Sequence, residues 1–324
     1  MIVVDNVSKY YGAHCAVHDL SFEIGEGECI GFLGLNGAGK STTLRLLACL
    51  LLPTSGRITV RGLDVVESPH AIRRFIGYLP DSPPLYGEMT VREYLLFAGT
   101  LRGLSGSDLS ARYERVVAQC SLAEVKDNPI TTLSHGYRQR VGIAQAIIHG
   151  PSLLILDEPI QGLDPVQIVE MRNMIAALRG EHTILLSTHI LSEIERTCDR
   201  ILMMHDGRIA AQGSEEALAA QLSSGRALEL EVRGEEQALR GALAPLCDAS
   251  AVSVKRTENG TLHATVRNIE DGAREQVAAA VVKSGLGLLA MQTATTDLEA
   301  IFLELSGARA GTAGPGASAL GGTP

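Results

Sequence analysis

The segment Leu133-Ser134-His135-Gly136-Tyr137-Arg138-Gln139-Arg140 stands shortly before Leu153-Leu154-Ile155-Leu156, an apolar run that ends in Asp157-Glu158-Pro159. That run has the length and aliphatic character of a buried strand, which puts two adjacent carboxylates at the end of a sheet. Upstream, Gly34-Leu35-Asn36-Gly37-Ala38-Gly39-Lys40-Ser41 fits G-x-x-x-x-G-K-[ST], between a strand pattern over 28–33 and a helical one. Strands, loops and helices in this order imply a parallel sheet whose C-terminal edge gathers the glycine loop and the carboxylates.

The residue types at that edge point to phosphate chemistry. Glycines let backbone N–H groups turn toward phosphate oxygens, and the helix N-terminus adds about half a positive charge there. Lys40 supplies a full charge, and the Ser41 hydroxyl suits Mg²⁺. Asp157 can hold Mg²⁺ directly or through water, and Glu158 beside it is placed to polarise an attacking water. His189 follows a strand pattern over 183–187, so it lands on the same edge and could contact a γ-phosphate. A phosphate loop alone admits kinases, GTPases and many ATPases.

Short strand patterns over 2–7, 16–24 and 57–60, with turns such as Gly25-Glu26-Gly27, make the opening strand-rich. Leu44, Leu46, Leu47, Leu50 and Leu51 predict a buried helix over 42–52, stopped by Pro53. Helical spacing returns over 91–148, and Asp164-Pro165 opens a further helix, with Asp as N-cap and Pro in the first turn. Another buried strand is predicted over 201–204. After a Ser223-Ser224-Gly225 hinge the pattern reads β (227–232), α (235–243), β (251–256), β (261–266), α (271–284), β (288–292), then a short helix over 297–305. That βαββαβ order is the split-βαβ, ferredoxin-like arrangement. The tail over 307–324 is Gly, Ala, Ser, Thr and Pro apart from Leu320 and one charge, Arg309, and reads as disordered.

Composition narrows the partners. The net charge is −9, and only five of the 28 basic residues are Lys, which argues against a broad nucleic-acid-binding surface. Six scattered Cys without a C-x-x-C pair suggest neither a zinc site nor a disulfide framework, and read as free thiols in a reducing cytosol. Met1-Ile2-Val3-Val4-Asp5-Asn6 carries no secretory signal, and no apolar run approaches the ~20 residues needed to cross a bilayer. A chain of this kind would serve a membrane only from its side.

Together these residues resemble the nucleotide-binding subunit of ABC transporters, over about residues 2–218. The elements appear in family order: Tyr11 at the adenine-stacking position, with Tyr10 as a competing candidate; the phosphate loop; Ile76-Gly77-Tyr78-Leu79-Pro80; the signature over 133–140; the Walker B end at Asp157-Glu158; Gly162-Leu163-Asp164 resembling the D-loop; and the switch His189. The resemblance implies a P-loop ABC ATPase domain over 1–222, an α/β fold with a mixed sheet core and a helical subdomain inserted at about 85–150. A small α/β domain then occupies 226–306. It implies ATP as substrate and Mg²⁺ as cofactor, with nucleotide contacts from Tyr11, Gly34, Leu35, Asn36, Gly37, Ala38, Gly39, Lys40, Ser41 and Thr42. Ser41 and Asp157 hold the metal, Glu158 orients water, and His189 senses the γ-phosphate. Two copies face head to tail, so that Ser134 and Gly136 of one contact the γ-phosphate held by Lys40 of the other.

The chain departs from the family pattern in three places. Asp81 stands where Gln is usual and becomes a charged candidate Mg²⁺ ligand, while His135 and Tyr137 replace the common Gly and Gln of the signature. His135 reads as a solvent-facing polar residue. The signature form and the ending Thr296-Asp297-Leu298-Glu299-Ala300-Ile301-Phe302-Leu303-Glu304-Leu305 resemble exporters of the ABC-2 type, including drug-resistance and gliding-motility-associated groups. The implied role is a cytoplasmic, peripheral ATPase on the inner face of the cell membrane. It drives a separate integral-membrane permease, without nucleic acid and without inserting into the bilayer. The alternative is a soluble ABC ATPase acting on ribosomes or nucleic acid, which would normally bring tandem cassettes, coiled-coil insertions or basic arms.

Overall fold

The structure, a computed structural model, describes residues 1–222, 226–248, 251–257, 260–269 and 273–293. The expected hinge at Ser223-Ser224-Gly225, the helix over 297–305 and the tail over 307–324 lie outside them. The chain divides into two compact units, Met1–Ser214 and one that begins at Glu215.

The first unit opens with β1 (Ile2–Tyr11), β2 (His14–Ile24), β3 (Cys29–Leu33), α1 (Lys40–Leu47), β4 (Ser55–Val60) and β5 (Leu63–Asp64). It continues through α2 (Pro69–Arg73), β6 (Ile76–Leu79), α3 (Val91–Leu101), α4 (Gly106–Gln119) and α5 (His135–Ile147) to β7 (Leu153–Asp157). α6 (Pro165–Ala177), β8 (Thr183–Thr188), α7 (Leu191–Glu195), β9 (Arg200–His205) and β10 (Arg208–Gly213) complete it. One sheet has the order β2-β1-β4-β5 and is antiparallel; the other has the order β10-β9-β3-β8-β7-β6. In the second sheet β9, β3, β8, β7 and β6 run parallel, and β10 returns antiparallel at the edge.

The core lies between these sheets, with α1 in the middle. Alternate residues of β1 and β2 (Ile2, Val4, Leu20, Phe22) join Ile30 and Phe32 of β3, Ile155 of β7, and Leu44, Leu46 and Leu47 of α1 in one buried cluster. Each such side chain contributes about 1.5–3 kcal/mol by burial, so α1 is fixed tightly over the parallel strands. The helix is shorter than the leucine pattern predicts. Cys49 adopts φ 57°, and the Leu50 N–H reaches back to the Arg45 carbonyl at 2.9 Å, a Schellman closure that ends the helix before Pro53 is reached. Two other helix starts follow their sequence signals. Thr90 and Glu93 cap α3 reciprocally, and the Asp164 carboxylate accepts from the Val166 and Gln167 N–H groups ahead of Pro165-led α6.

Register then fixes the functional edge. Leu33 pairs with Thr188, Ser187 with Asp157, and Leu156 with Leu79, so four parallel strands end at nearly one level. Loops leaving β3, β8, β7 and β6 therefore carry Gly34, His189, Glu158 and Asp81 to a common rim.

The second unit contains α8 (Glu215–Leu222), β11 (Arg226–Arg233), α9 (Glu236–Leu243), β12 (Val252–Arg256), β13 (Leu262–Ile269), α10 (Ala273–Lys283) and β14 (Gly287–Thr293). Its sheet order is β12-β13-β11-β14 with antiparallel neighbours, the split-βαβ arrangement the sequence predicts. Leu228, Leu230 and Val232 face Leu239, Leu243, Val277 and Val281 of the two helices, while Glu229 and Glu231 alternate outward.

His149, between α5 and β7, donates Nε2–H to the Ile76 carbonyl at 3.1 Å, and its Nδ1 is buried without a hydrogen-bond partner among the described residues. Burial, reinforced by the charge of Arg102, pushes its pKa down from the ordinary 6.5 to about 4. The unfolded chain thus binds a proton that the folded chain refuses between these values. Stability from this group is complete above pH 6.5 and is lost as pH falls toward 4. Thermal melting from pH 7 to 4.5 should show a smaller Tm loss for His149→Gln than for the native chain; identical slopes would refute this.

Candidate functional site

The loop from Gly34 to Gly39 turns between β3 and α1 by using backbone that side chains disfavour. Gly39 has φ 99°, and a Cβ there would stand 2.6 Å from the Ala16 carbonyl oxygen, so no other residue fits without displacing β2. The Thr43 N–H takes the Gly39 carbonyl at 2.9 Å as the first intrahelical bond. The amides of Lys40, Ser41 and Thr42 precede it and open toward the loop, a set of donors at the positive end of the helix.

Lys40 is 5% exposed and folds back over the loop. Its ammonium donates to the Gly34 carbonyl at 2.7 Å and the Leu35 carbonyl at 3.3 Å, and stands 3.3 Å from Glu158 Oε1. The other Glu158 oxygen, Oε2, lies 3.0 Å from His189 Nδ1. Glu158 is itself buried and takes φ 49°, a left-handed conformation a glutamate adopts only under constraint. The constraint is visible: its N–H donates to Ser187 Oγ at 2.9 Å, and the Ser187 hydroxyl in turn donates to Asp157 Oδ1 at 2.7 Å.

Asp157 has no exposure. Its Oδ1 also accepts from Ser41 Oγ at 3.0 Å, whereas Oδ2 is buried without a partner among the described residues. A buried carboxylate oxygen without a donor is costly, and a hydroxyl beside it is the hard-oxygen pairing that Mg²⁺ accepts. Among the described residues no three His, Cys, Asp or Glu side chains form a metal-holding group. The Asp157 carboxylate, with its partnerless Oδ2, and the Ser41 hydroxyl fit a Mg²⁺ held by few protein ligands and completed by phosphate oxygens, as that ion is commonly bound.

Lys40, Ser41 and Glu158 border a cavity of about 410 Å³, lined also by Tyr11, His14, Ala16, Asn36, Gly37, Gly39, Thr42, Asp81 and Gln161; Asp157 and His189 stand behind it, bonded to Ser41 and Glu158. The size suits a small organic ligand. Of the two adjacent tyrosines, Tyr11 lines the cavity, opposite His14 across the β1–β2 turn, and Tyr10 does not. Ser134 and Gly136 do not line it either. Ser134 is exposed and caps α5 by accepting from the Tyr137 N–H at 3.4 Å, while a Cβ on buried Gly136 would stand 2.8 Å from Gln167 Oε1 at the start of α6.

The profile of the ABC transporter family matches residues 17–161. The "uncharacterized ABC transporter ATP-binding protein YxlF" of Bacillus subtilis is 35% identical over 305 residues, covering 94% of this chain and 99% of that protein. The linearmycin resistance ATP-binding protein LnrL of the same organism is 31% identical over 312 residues, 95% of this chain and 98% of its own. The chain belongs to the ABC transporter family of ATP-binding proteins. Among solved structures, a bacterial ABC transporter cassette in dimeric form matches with a TM-score of 0.61 at 25% identity, over 66% of this chain and 98% of the cassette.

As an ABC ATP-binding protein the chain binds nucleotide and hydrolyses ATP, and the cavity beside Lys40 is lined by Gly37, Gly39, Lys40, Ser41 and Glu158 of the expected site. Four members of that environment are not marked by the sequence motifs. Ser187 links Asp157 to the Glu158 backbone, and the signal for it was positional, since the residue at the end of a neighbouring strand stands opposite Asp157. His14 and Ala16 line the cavity from the start of β2 and Gln161 from the turn after β7, positions brought there by tertiary packing. His135, expected to face solvent, is exposed but hydrogen-bonded: its Nε2 lies 2.9 Å from the Gln161 carbonyl oxygen.

Gly39→Ala should lower stability by about 1–3 kcal/mol and weaken ATP binding, because the strained φ and the Ala16 contact act together. Thermal melting and calorimetric titration with ATP measure both; a variant with native Tm and native affinity would contradict this reading of the loop.

Proposed function

We propose that this chain is the ATP-hydrolysing, energy-coupling subunit of an exporter, acting as a head-to-tail pair of copies on a separate membrane-spanning permease. One observation carries the proposal. Lys40, Ser41 and Glu158 line one cavity, with Asp157 bonded to Ser41 and His189 to Glu158 behind it, while Ser134 stands exposed at the N-terminus of α5 and has neither a place in that lining nor a bond to it. A second copy would bring its own Ser134 and Gly136 to the γ-phosphate and complete the site. The dimeric state of the similar bacterial cassette supports this pairing, and the linearmycin resistance role in the name of LnrL supports export. Among the described residues no helix is long and apolar enough to cross a membrane; the proposed permease is a separate chain, on whose cytoplasmic side this one would act.

In the proposed mechanism, the phosphates of ATP take the loop amides and draw the Lys40 ammonium from the Gly34 and Leu35 carbonyls. Glu158 then exchanges its contact with Lys40 for a water, accepts a proton from it as it attacks the γ-phosphorus, and ADP leaves with the electrons of the broken bond. His189 holds Glu158 through Oε2 and contacts the γ-phosphate. Mg²⁺, when bound, neutralises charge developing on the phosphate oxygens; Ser41 and Asp157 would hold it, with the Asp81 carboxylate as a further ligand. Release of phosphate removes the group that both copies grip, so the pair reopens and bond cleavage becomes movement.

Glu158→Gln keeps the shape and removes the base. Turnover should fall by about 10²-fold or more, and light scattering should show a stable dimer with ATP and none with ADP. Native turnover in this variant would overturn the assignment of Glu158.

A further inference from the structure

We infer that His135 is a positioning residue that makes the two ATP sites of the proposed dimer interdependent; the inference rests on the head-to-tail reading above. The Gln161 carbonyl can only accept, so at 2.9 Å the His135 imidazole donates to it through Nε2–H. A glycine at this position, the form common in the family, has no such donor.

The two ends of this hydrogen bond belong to different sites. His135 stands between Ser134 and Gly136, on the surface that would meet the partner's γ-phosphate. Gln161 lines the cavity of its own chain, and its N–H is bonded to the Glu158 carbonyl at 3.2 Å. The imidazole thus spans from the reader of one nucleotide to the segment that carries the catalytic carboxylate beside the other.

The surroundings favour transmission over slack. Gly162 takes φ 73°, and a Cβ there would stand 3.4 Å from His135 Nε2, so bare backbone receives the ring. At its far end the 158–164 segment is pinned where Asp164 caps α6 through the Val166 and Gln167 N–H groups. At its near end Glu158 is held by Ser187. A shift of the α5 N-terminus on engaging the partner's nucleotide is therefore passed through His135 to Gln161, and its yielding point is the turn next to Glu158. Each Glu158 reaches its working position when the opposite site is filled.

The test uses the full chain with His135→Gly, which removes the donor, and His135→Gln, whose amide can also reach a carbonyl. Native turnover should rise cooperatively with ATP. In His135→Gly the Hill coefficient should fall to about 1 and kcat should drop about fivefold or more, while ATP affinity measured on dilute, monomeric chains stays native. His135→Gln should restore most of the kcat and cooperativity, which a role in folding α5 alone would not require. Native kcat and cooperativity in His135→Gly, with its Glu158→Gln form still dimerising on ATP, would overturn this inference and leave the dimer reading intact. Impairment of His135→Gln equal to that of His135→Gly would also overturn it. Failure of the Glu158→Gln chain itself to dimerise with ATP would overturn the shared site and this inference with it.

Discussion

A carboxylate with no exposure has to be paired, and the pairing of Asp157 organises the rim around it. Ser41 from α1 and Ser187 from β8 both donate to Oδ1, so one oxygen ties together β7, the neighbouring strand and the helix that follows the glycine loop. Removing either hydroxyl would leave part of a buried charge unsatisfied, a penalty of about 1–3 kcal/mol or more. The second oxygen, without a partner among the described residues, is the place where a cation would balance the charge. The same serine that steadies Asp157 accepts the Glu158 N–H and helps hold that residue in its left-handed conformation.

The layers of the fold keep this arrangement from relaxing. α1 is packed between the antiparallel and the mixed sheet, and Gly39 touches β2 so closely that the loop has one course available. The Lys40 ammonium has three oxygen neighbours, two carbonyls and Glu158. In the proposed mechanism a phosphate replaces those contacts, so nucleotide binding would free Glu158. In that mechanism His189, 3.0 Å from Oε2, would hold the carboxylate in place as Lys40 moves.

Much of this was legible from local pattern. The glycine loop, the aliphatic strand ending Asp157-Glu158 and the βαββαβ order of the second unit each depend on residues close in sequence, and the sheets form as those patterns predict. Tyr10 competes with Tyr11 in the sequence; of the two, Tyr11, at the β1–β2 turn opposite His14, lines the cavity. The end of α1 was misjudged because the leucine spacing continues past Cys49, whose left-handed turn leaves no mark in an apolar run. Ser187 and the His135–Gln161 bond were invisible for a different reason. Each joins segments far apart in the chain, and neither a serine at a strand end nor a polar residue in a signature declares its partner.

The central claim is that Ser134 of one copy meets the phosphate loop of another across bound ATP. Mixing two populations in the Glu158→Gln background, one with Asn36→Cys and one with Ser134→Cys, tests it by mild oxidation and denaturing electrophoresis. The account predicts a covalent dimer in the mixture with ATP, and little with ADP or with either population alone. Crosslinking that is absent with ATP, or equal with and without it, would contradict the account.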